Sequence, residues 1–156
     1  IVSEKIQKYF DDHKMMCGLT YSAHPMGCAA AVATIKEYKD RNIADNVAKQ
    51  GKVLGELLED LQKKHACVGE VRYIGLFSAF ELVKDKATKE PLVAFNEDPD
   101  GLMAKIVGML KQEGFFTYSH ENMIIVAPPL IITEEELRTA MGILDKVMDS
   151  VDNMIK

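Results

Sequence analysis

The chain has 156 residues, 47% of them hydrophobic and 28% charged, with a formal charge of −5. That is room for one ordinary domain with a proper core. The acidic balance, with lysines scattered among acids, excludes a nucleic-acid surface, and no apolar run approaches the roughly 20 residues of a membrane span.

From the N-terminus, Ile1-Val2-Ser3 reads as the end of a buried strand running into a helix, with Ser3 as N-cap and Glu4 in the first turn. Ser3, Glu4, Lys5, Gln7 and Lys8 break up any signal peptide. A start at Ile1 rather than methionine is expected of a processed protein or of a fragment. Ile6, Tyr9 and Phe10 give the first helix one apolar face, and it is expected to end near Asp11–His13. Met15 to Ser22 reads as loop. Pro25 suits the first turn of a second helix, where its missing N–H would be unpaired anyway. That helix runs through Ala29–Ala33 to about Lys39, with small residues that permit close packing.

Ile43, Val47, Leu54, Leu57, Leu58 and Leu61 recur at helical spacing and predict a long amphipathic helix from Ile43 to Lys64. Val68–Tyr73 and Leu76–Val83 read as strands joined at Gly75. Asp85 to Gly101 reads as a long surface loop. Leu102, Ile106, Met109 and Leu110 mark another helix, closed by Gly114. Phe115–Tyr118 and Met123–Ala127 read as a hairpin turned at His120–Asn122, ended by Pro128-Pro129. Thr133 with Glu136 is a capping box for a last helix carrying Leu137, Met141, Leu144, Val147, Met148 and Val151 on one face. The fold class is α+β: a small, mostly antiparallel sheet covered by helices.

Several residues carry possible chemistry. Thr20 precedes a turn leading into a helix N-terminus, which suits either a phosphate contact or an ordinary turn residue. His24 is read as the N-cap of the second helix or part of its approach; as a catalytic base it has no acid partner nearby. His13, His65 and His120 are isolated in sequence, without metal-ligand spacing. Cys17, Cys28 and Cys67 are an odd number without a CxxC pair, as in a reducing, cytoplasmic setting. Cys28 is expected to be a small buried hydrophobe. Glu97, Asp98 and Asp100 lack the ligand pattern of a calcium loop and read as solvated. Arg72 either pairs with an acid or faces a cleft. Composition and spacing stop at this point.

Four segments, in order, are similar to the C-terminal part of class III pyridoxal-phosphate aminotransferases. Val2-Ser3-Glu4-Lys5-Ile6 resembles the strand end and helix that follow the cofactor lysine. Gly18-Leu19-Thr20-Tyr21-Ser22-Ala23-His24-Pro25 resembles the family's glycine–x–threonine–tyrosine–serine–glycine–histidine–proline. Val68 to Leu76 resembles the arginine–glycine–x–glycine–leucine strand, with Tyr73 in place of the first glycine. Val126 to Leu137 resembles the closing strand, double proline and terminal helix.

The resemblance implies the small domain of a fold-type-I transaminase, with residues 1–22 as the tail of the large cofactor-binding domain and 23–156 as the small domain. It implies pyridoxal phosphate, held elsewhere as a Schiff base to lysine, and transfer of an amino group from an amine donor to an oxo acid such as pyruvate or 2-oxoglutarate. Thr20 is the implied phosphate ligand, lent across a homodimer interface, with the backbone of Gly18 and Leu19 nearby. No catalytic residue is expected in this chain, because the Schiff-base lysine is expected upstream of Ile1. A fragment inactive alone follows. Where relatives acting on α-amino acids carry an arginine, this chain has Ile125, and a branched alkyl group cannot pair with a carboxylate. Tyr118 and His120 are the substrate-side groups offered instead. The implied donor is an omega-amino acid, a diamine or an aminosulfonate such as taurine. The alternative is a free-standing, non-enzymatic α+β binding or assembly module.

Overall fold

The computed structural model describes residues 2–155. The chain divides into two compact units, Ile1–Asp40 and Arg41–Lys156. In the first unit, α1 spans Glu4–Asp12 and α2 spans Pro25–Asp40. Both lie where the sequence places them, and neither buries a residue. Ser3 occupies the N-cap of α1, but its hydroxyl makes no capping hydrogen bond. The strand expected at the start is not formed at Val2, which is exposed; Ile1 lies outside the described residues. Cys28 is exposed, not buried, because the whole surface of α2 is uncovered among the described residues.

The second unit holds the core. Helix α3, Ile43–Lys64, has the bounds that its apolar period predicts. Strands β1 (Val68–Ile74) and β2 (Phe77–Asp85) form an antiparallel hairpin whose register closes at Ile74 opposite Phe77. Gly75, at φ +56°, takes the first central position of this two-residue loop, where a side chain would be strained. Gly51 of α3 sits against it. A Cβ on Gly51 would stand 2.6 Å from the Gly75 Cα, so helix and hairpin meet backbone to backbone. Next along α3, a Cβ on Gly55 would stand 2.5 Å from the Tyr73 ring, whose hydroxyl donates to Glu59 Oε1 at 2.7 Å.

The stretch 85–101 is more than a surface loop. It contains β3, Glu90–Pro91, paired with β2, and Leu92 and Val93 are buried in the core. The reason is local: the Leu92 N–H donates to the Leu82 carbonyl at 2.9 Å, which ties the stretch to the sheet. Asp98 is not merely solvated. Its carboxylate accepts from the N–H groups of Leu102 and Met103, at 2.7 and 3.1 Å, at the start of α4 (Leu102–Gln112). Gly114, at φ +89°, follows α4. The N–H groups of Gly114 and Phe115 return to the carbonyls of Lys111 and Leu110, which is the Schellman closure.

The next hairpin is shorter than its sequence suggests. Its first strand, β4, is Ser119–His120 rather than Phe115–Tyr118, and it pairs with β5, Met123–Val126. Phe116 and Tyr118 are exposed, so apolar pairing does not extend the ladder. Instead Ile125 N–H reaches the Tyr118 carbonyl at 3.0 Å, and the Thr117 hydroxyl donates to the Ile125 carbonyl. Helix α5, Glu134–Met154, opens with the full Thr133/Glu136 capping box and buries Leu137, Met141, Leu144, Val147, Met148 and Val151.

The sheet order is β1-β2-β5-β4, with β3 paired to β2. Its inner face, with Phe80, Leu82, Ile124 and Val126, shares one core with α3, α4 and α5. Ser78, also buried, donates to the Val126 carbonyl at 2.8 Å. This is the α+β arrangement that the sequence implies. No helix among the described residues is long and apolar enough to cross a membrane.

Candidate functional site

Each unit contributes one set of candidate groups. In the first, residues 19–23 form a turn ahead of α2. The Ser22 hydroxyl accepts from Leu19 N–H at 3.3 Å, and Ser22 N–H donates to the Leu19 carbonyl at 3.0 Å. The expected Leu19 N–H contact is therefore spent inside the turn. The Tyr21 and His24 rings meet edge to face, with centroids 5.8 Å apart. Thr20 and Gly18 are exposed, and a Cβ on Gly18 would meet nothing within 4 Å. Ala23 adopts φ +57°, a left-handed conformation that costs an alanine roughly 1–2 kcal/mol.

Residues 15–36 contain no aspartate or glutamate. An anion at the Thr20 turn is thus repelled by no carboxylate of its own segment. The hydroxyl of Thr20 and the N–H groups of Gly18 and Thr20 are donors, the chemistry that a phosphate needs. The donor set fits the phosphate of pyridoxal phosphate. It does not extend to an amine that could hold the cofactor covalently: Lys5, Lys8 and Lys14 are exposed, and Lys8 pairs with Glu4 at 2.9 Å.

In the second unit, alternation along the strands brings Arg72, Ala79 and Ile125 side by side on the outer sheet face, since Arg72 pairs with Ala79 and Ala79 with Ile125. His120 lies opposite Met123, and Met123 opposite Glu81. Arg72 is an ion-pair residue: its Nη1 stands 2.7 Å from Glu81 Oε1 and 3.1 Å from Glu70 Oε1. The hydrogen bond to Glu81 and then that to Glu70 push its guanidinium further up. The Nη2 group lies 3.3 Å from Met123 Sδ. The guanidinium is therefore committed to acids.

Tyr118 and His120 stand on the same face but line different clefts. Tyr118 shares one with Phe116, Thr117, Ile125 and Pro128. His120 shares the other with Glu81, Phe95, Glu121 and Met123. Asn46 holds the turn that contributes Ile132 to the first cleft. Its amide donates to the Leu130 and Ile132 carbonyls at 2.8 and 3.1 Å and fixes the turn after the double proline. Asn46 carries no local signal, because its partners lie more than eighty residues away.

A threonine turn ahead of α2 and a helix-backed antiparallel sheet ending in a double proline make up an α+β chain. A sequence model of the family Aminotransferase class-III matches residues 1–148, and the chain belongs to that family. Among solved structures, it superposes on a taurine:2-oxoglutarate aminotransferase from Bifidobacterium kashiwanohense, in complex with PLP and glutamate, with a TM-score of 0.87. The two are 42% identical, over 99% of this chain and 34% of that one. Among curated proteins, it is 33% identical over 151 residues to a taurine–pyruvate aminotransferase of Bilophila wadsworthia, covering 92% of this chain and 31% of the relative. It is also 35% identical over 132 residues to the ethanolamine-phosphate phospho-lyase homolog 1 of Caenorhabditis elegans, covering 83% and 27%. The chain spans about a third or less of these proteins.

Proposed function

We propose that the chain is the C-terminal portion of a pyridoxal-phosphate-dependent aminotransferase. The whole protein would move an amino group from an amine or omega-amino acid, taurine-like donors included, to an oxo acid such as pyruvate. One observation carries the reading: 42% identity over 99% of the chain to a taurine aminotransferase solved with PLP. A homodimer in the cytoplasm is part of the same reading, as is a division of roles between residues 1–22, in the large domain, and 23–156, in the small one.

When bound, pyridoxal phosphate supplies the electron sink for amino transfer. This chain supplies orientation. The Thr20 hydroxyl and the N–H groups of Gly18 and Thr20 would hold the cofactor's phosphate. Ser22, by closing on Leu19, holds that turn in shape. Tyr118 gives the substrate side a phenol at the edge of an apolar cleft, and His120 gives an imidazole on the same sheet face. Ile125 offers a substrate carboxylate no partner, and Arg72 is occupied by Glu81 and Glu70. That arrangement supports donors without an α-carboxylate. The lysine that holds the cofactor comes from sequence outside the chain, so the chain alone is inactive.

The test is a donor panel on the intact protein, with taurine, β-alanine, a diamine and ornithine, against pyruvate and 2-oxoglutarate. Turnover of taurine or an omega-amino acid well above ornithine is expected; preference for ornithine overturns the donor class. Borohydride reduction of this chain with pyridoxal phosphate should leave its mass unchanged, whereas a stoichiometric single-lysine adduct would sink the claim of inactivity. A second reading, elimination from a phosphorylated amine, is favoured by the 35% identity to the phospho-lyase homolog. Phosphate release from ethanolamine phosphate in the same panel decides for it. Failure with every donor returns the chain to the alternative of a non-enzymatic binding or assembly module.

A further inference from the structure

His65, isolated in the sequence, has the most crowded charged surroundings in the second unit. It follows α3 as its C-cap and is 1% exposed. Its Nδ1 lies 2.8 Å from Asp152 Oδ2, and its Nε2 lies 2.9 Å from Asp145 Oδ1. Asp149 Oδ1 stands 3.8 Å from Nδ1. These three aspartates share one face of α5, being four and three residues apart. From α3, Lys64 Nζ reaches Asp145 Oδ2 at 2.6 Å and Asp149 Oδ1 at 3.5 Å. From the segment entering β1, Cys67 N–H donates to Asp152 Oδ1 at 2.7 Å.

The proton count follows from these distances. An ionised carboxylate only accepts, and a neutral imidazole has one N–H and one lone pair. A neutral His65 would set its lone pair against one of two aspartates. A doubly protonated ring donates to both. The aspartates are held ionised. Burial pushes each upward, but the bonds from Lys64 and His65 outweigh it at Asp145, as do those from Cys67 and His65 at Asp152, so both lie below the ordinary carboxylate range. Three carboxylates thus surround Lys64 and the His65 ring at the C-terminal end of α3, where positive charge is favoured.

We propose that His65 is a buried, doubly protonated imidazolium that clamps the end of α3 to the C-terminal half of α5, and that this clamp seals Cys67. The thiol belongs to the residue that Asp152 also holds: Cys67 is fully buried, and its Sγ reaches the Met148 carbonyl at 3.8 Å. Burial first, and the nearby Asp152 second, push the thiol well above its ordinary value, so a closed clamp keeps it unreactive.

The clamp weakens in acid. The folded-state values of Asp145 and Asp152 are lowered, so their contribution is complete above the unfolded carboxylate range. It is lost as pH falls through the lowered values.

The experiment uses the intact protein with Cys17→Ser and Cys28→Ala, and labelling is read by mass spectrometry on the peptide that carries Cys67. Nitrogen-15 NMR of the His65 ring at neutral pH should show two N–H groups; a singly protonated ring overturns the proposal without any change at position 65. Asp145→Asn should convert the ring to the singly protonated form at the same pH, since the amide can donate to a bare Nε2; an unchanged ring spectrum counts against the clamp. His65→Gln should speed labelling of Cys67 by a neutral thiol reagent at one fixed pH by at least about tenfold. Labelling at the parental rate overturns the seal. A His65→Gln protein that does not fold leaves the two NMR outcomes to decide.

Discussion

Helices α2 and α5 are of comparable length, 16 and 21 residues, yet α5 buries six side chains and α2 buries none. The difference lies in how their apolar residues are arranged. In α5 they recur at three and four, forming one stripe that docks on the core. In α2, Met26, Val32, Ile35 and Tyr38 are spread among small residues, and all four are exposed. A helix apolar all round has the composition of one that is surrounded. The comparison extends to the units: 41–156 carries its own core, whereas 1–40 has helices without one. Helix formation and helix burial are separate achievements, and sequence periodicity reports mainly the second.

The largest effect should separate the units directly. Leu58→Ala removes a fully buried side chain and should cost about 2–5 kcal/mol in urea unfolding. Ile35→Ala, on the exposed face of α2, should move the same transition by less than about 0.5 kcal/mol. Equal losses would mean that the units share one cooperative core.

Glycines give the next contrast. Gly51→Ala drives a Cβ into the Gly75 backbone, which cannot give way, and should cost about 1–3 kcal/mol. Gly27→Ala meets open space in α2 and should raise helix content by about 0.5–1 kcal/mol of propensity, read by circular dichroism.

Caps give a smaller one. Thr133→Ala removes a bonded cap from α5 and should cost about 1 kcal/mol. Ser3→Ala should change nothing measurable, because the Ser3 hydroxyl makes no such bond. The Thr133 backbone N–H, and then its hydroxyl, hold Glu136 below its ordinary value. The box is therefore intact above the ordinary carboxylate range and weakens as pH falls through the lowered value. Thr133→Ala should cost less in acid.

The smallest effect is expected at Ala23→Gly. Relieving the left-handed alanine should stabilise the turn by roughly 0.4–1 kcal/mol, seen as slower hydrogen exchange in the first turns of α2 with none in α5.

Elements whose signals are local were legible in the sequence. The α3 stripe, the Thr133/Glu136 box and the Gly114 stop each sit within a few residues of what they determine. What escaped depends on distant partners. Leu92 is held by Leu82, Asn46 by a turn beyond residue 129, and His65 by aspartates eighty residues on. Cys28 misled for a related reason, since a small apolar residue in an Ala-rich helix says nothing about what lies outside the helix. The Thr20 turn was found through its motif, and the structure adds what no motif holds: an N–H of Leu19 already used by Ser22.

Tyr73 stands where the resemblance calls for glycine, and its ring fills the notch over Gly55. The two positions therefore behave as a lock and its key. Any side chain at 55 must evict the ring at 73, and a glycine at 73 would leave 55 free to grow. Across related proteins these positions should change together, so that one pair of letters forecasts how closely the long helix lies against its hairpin.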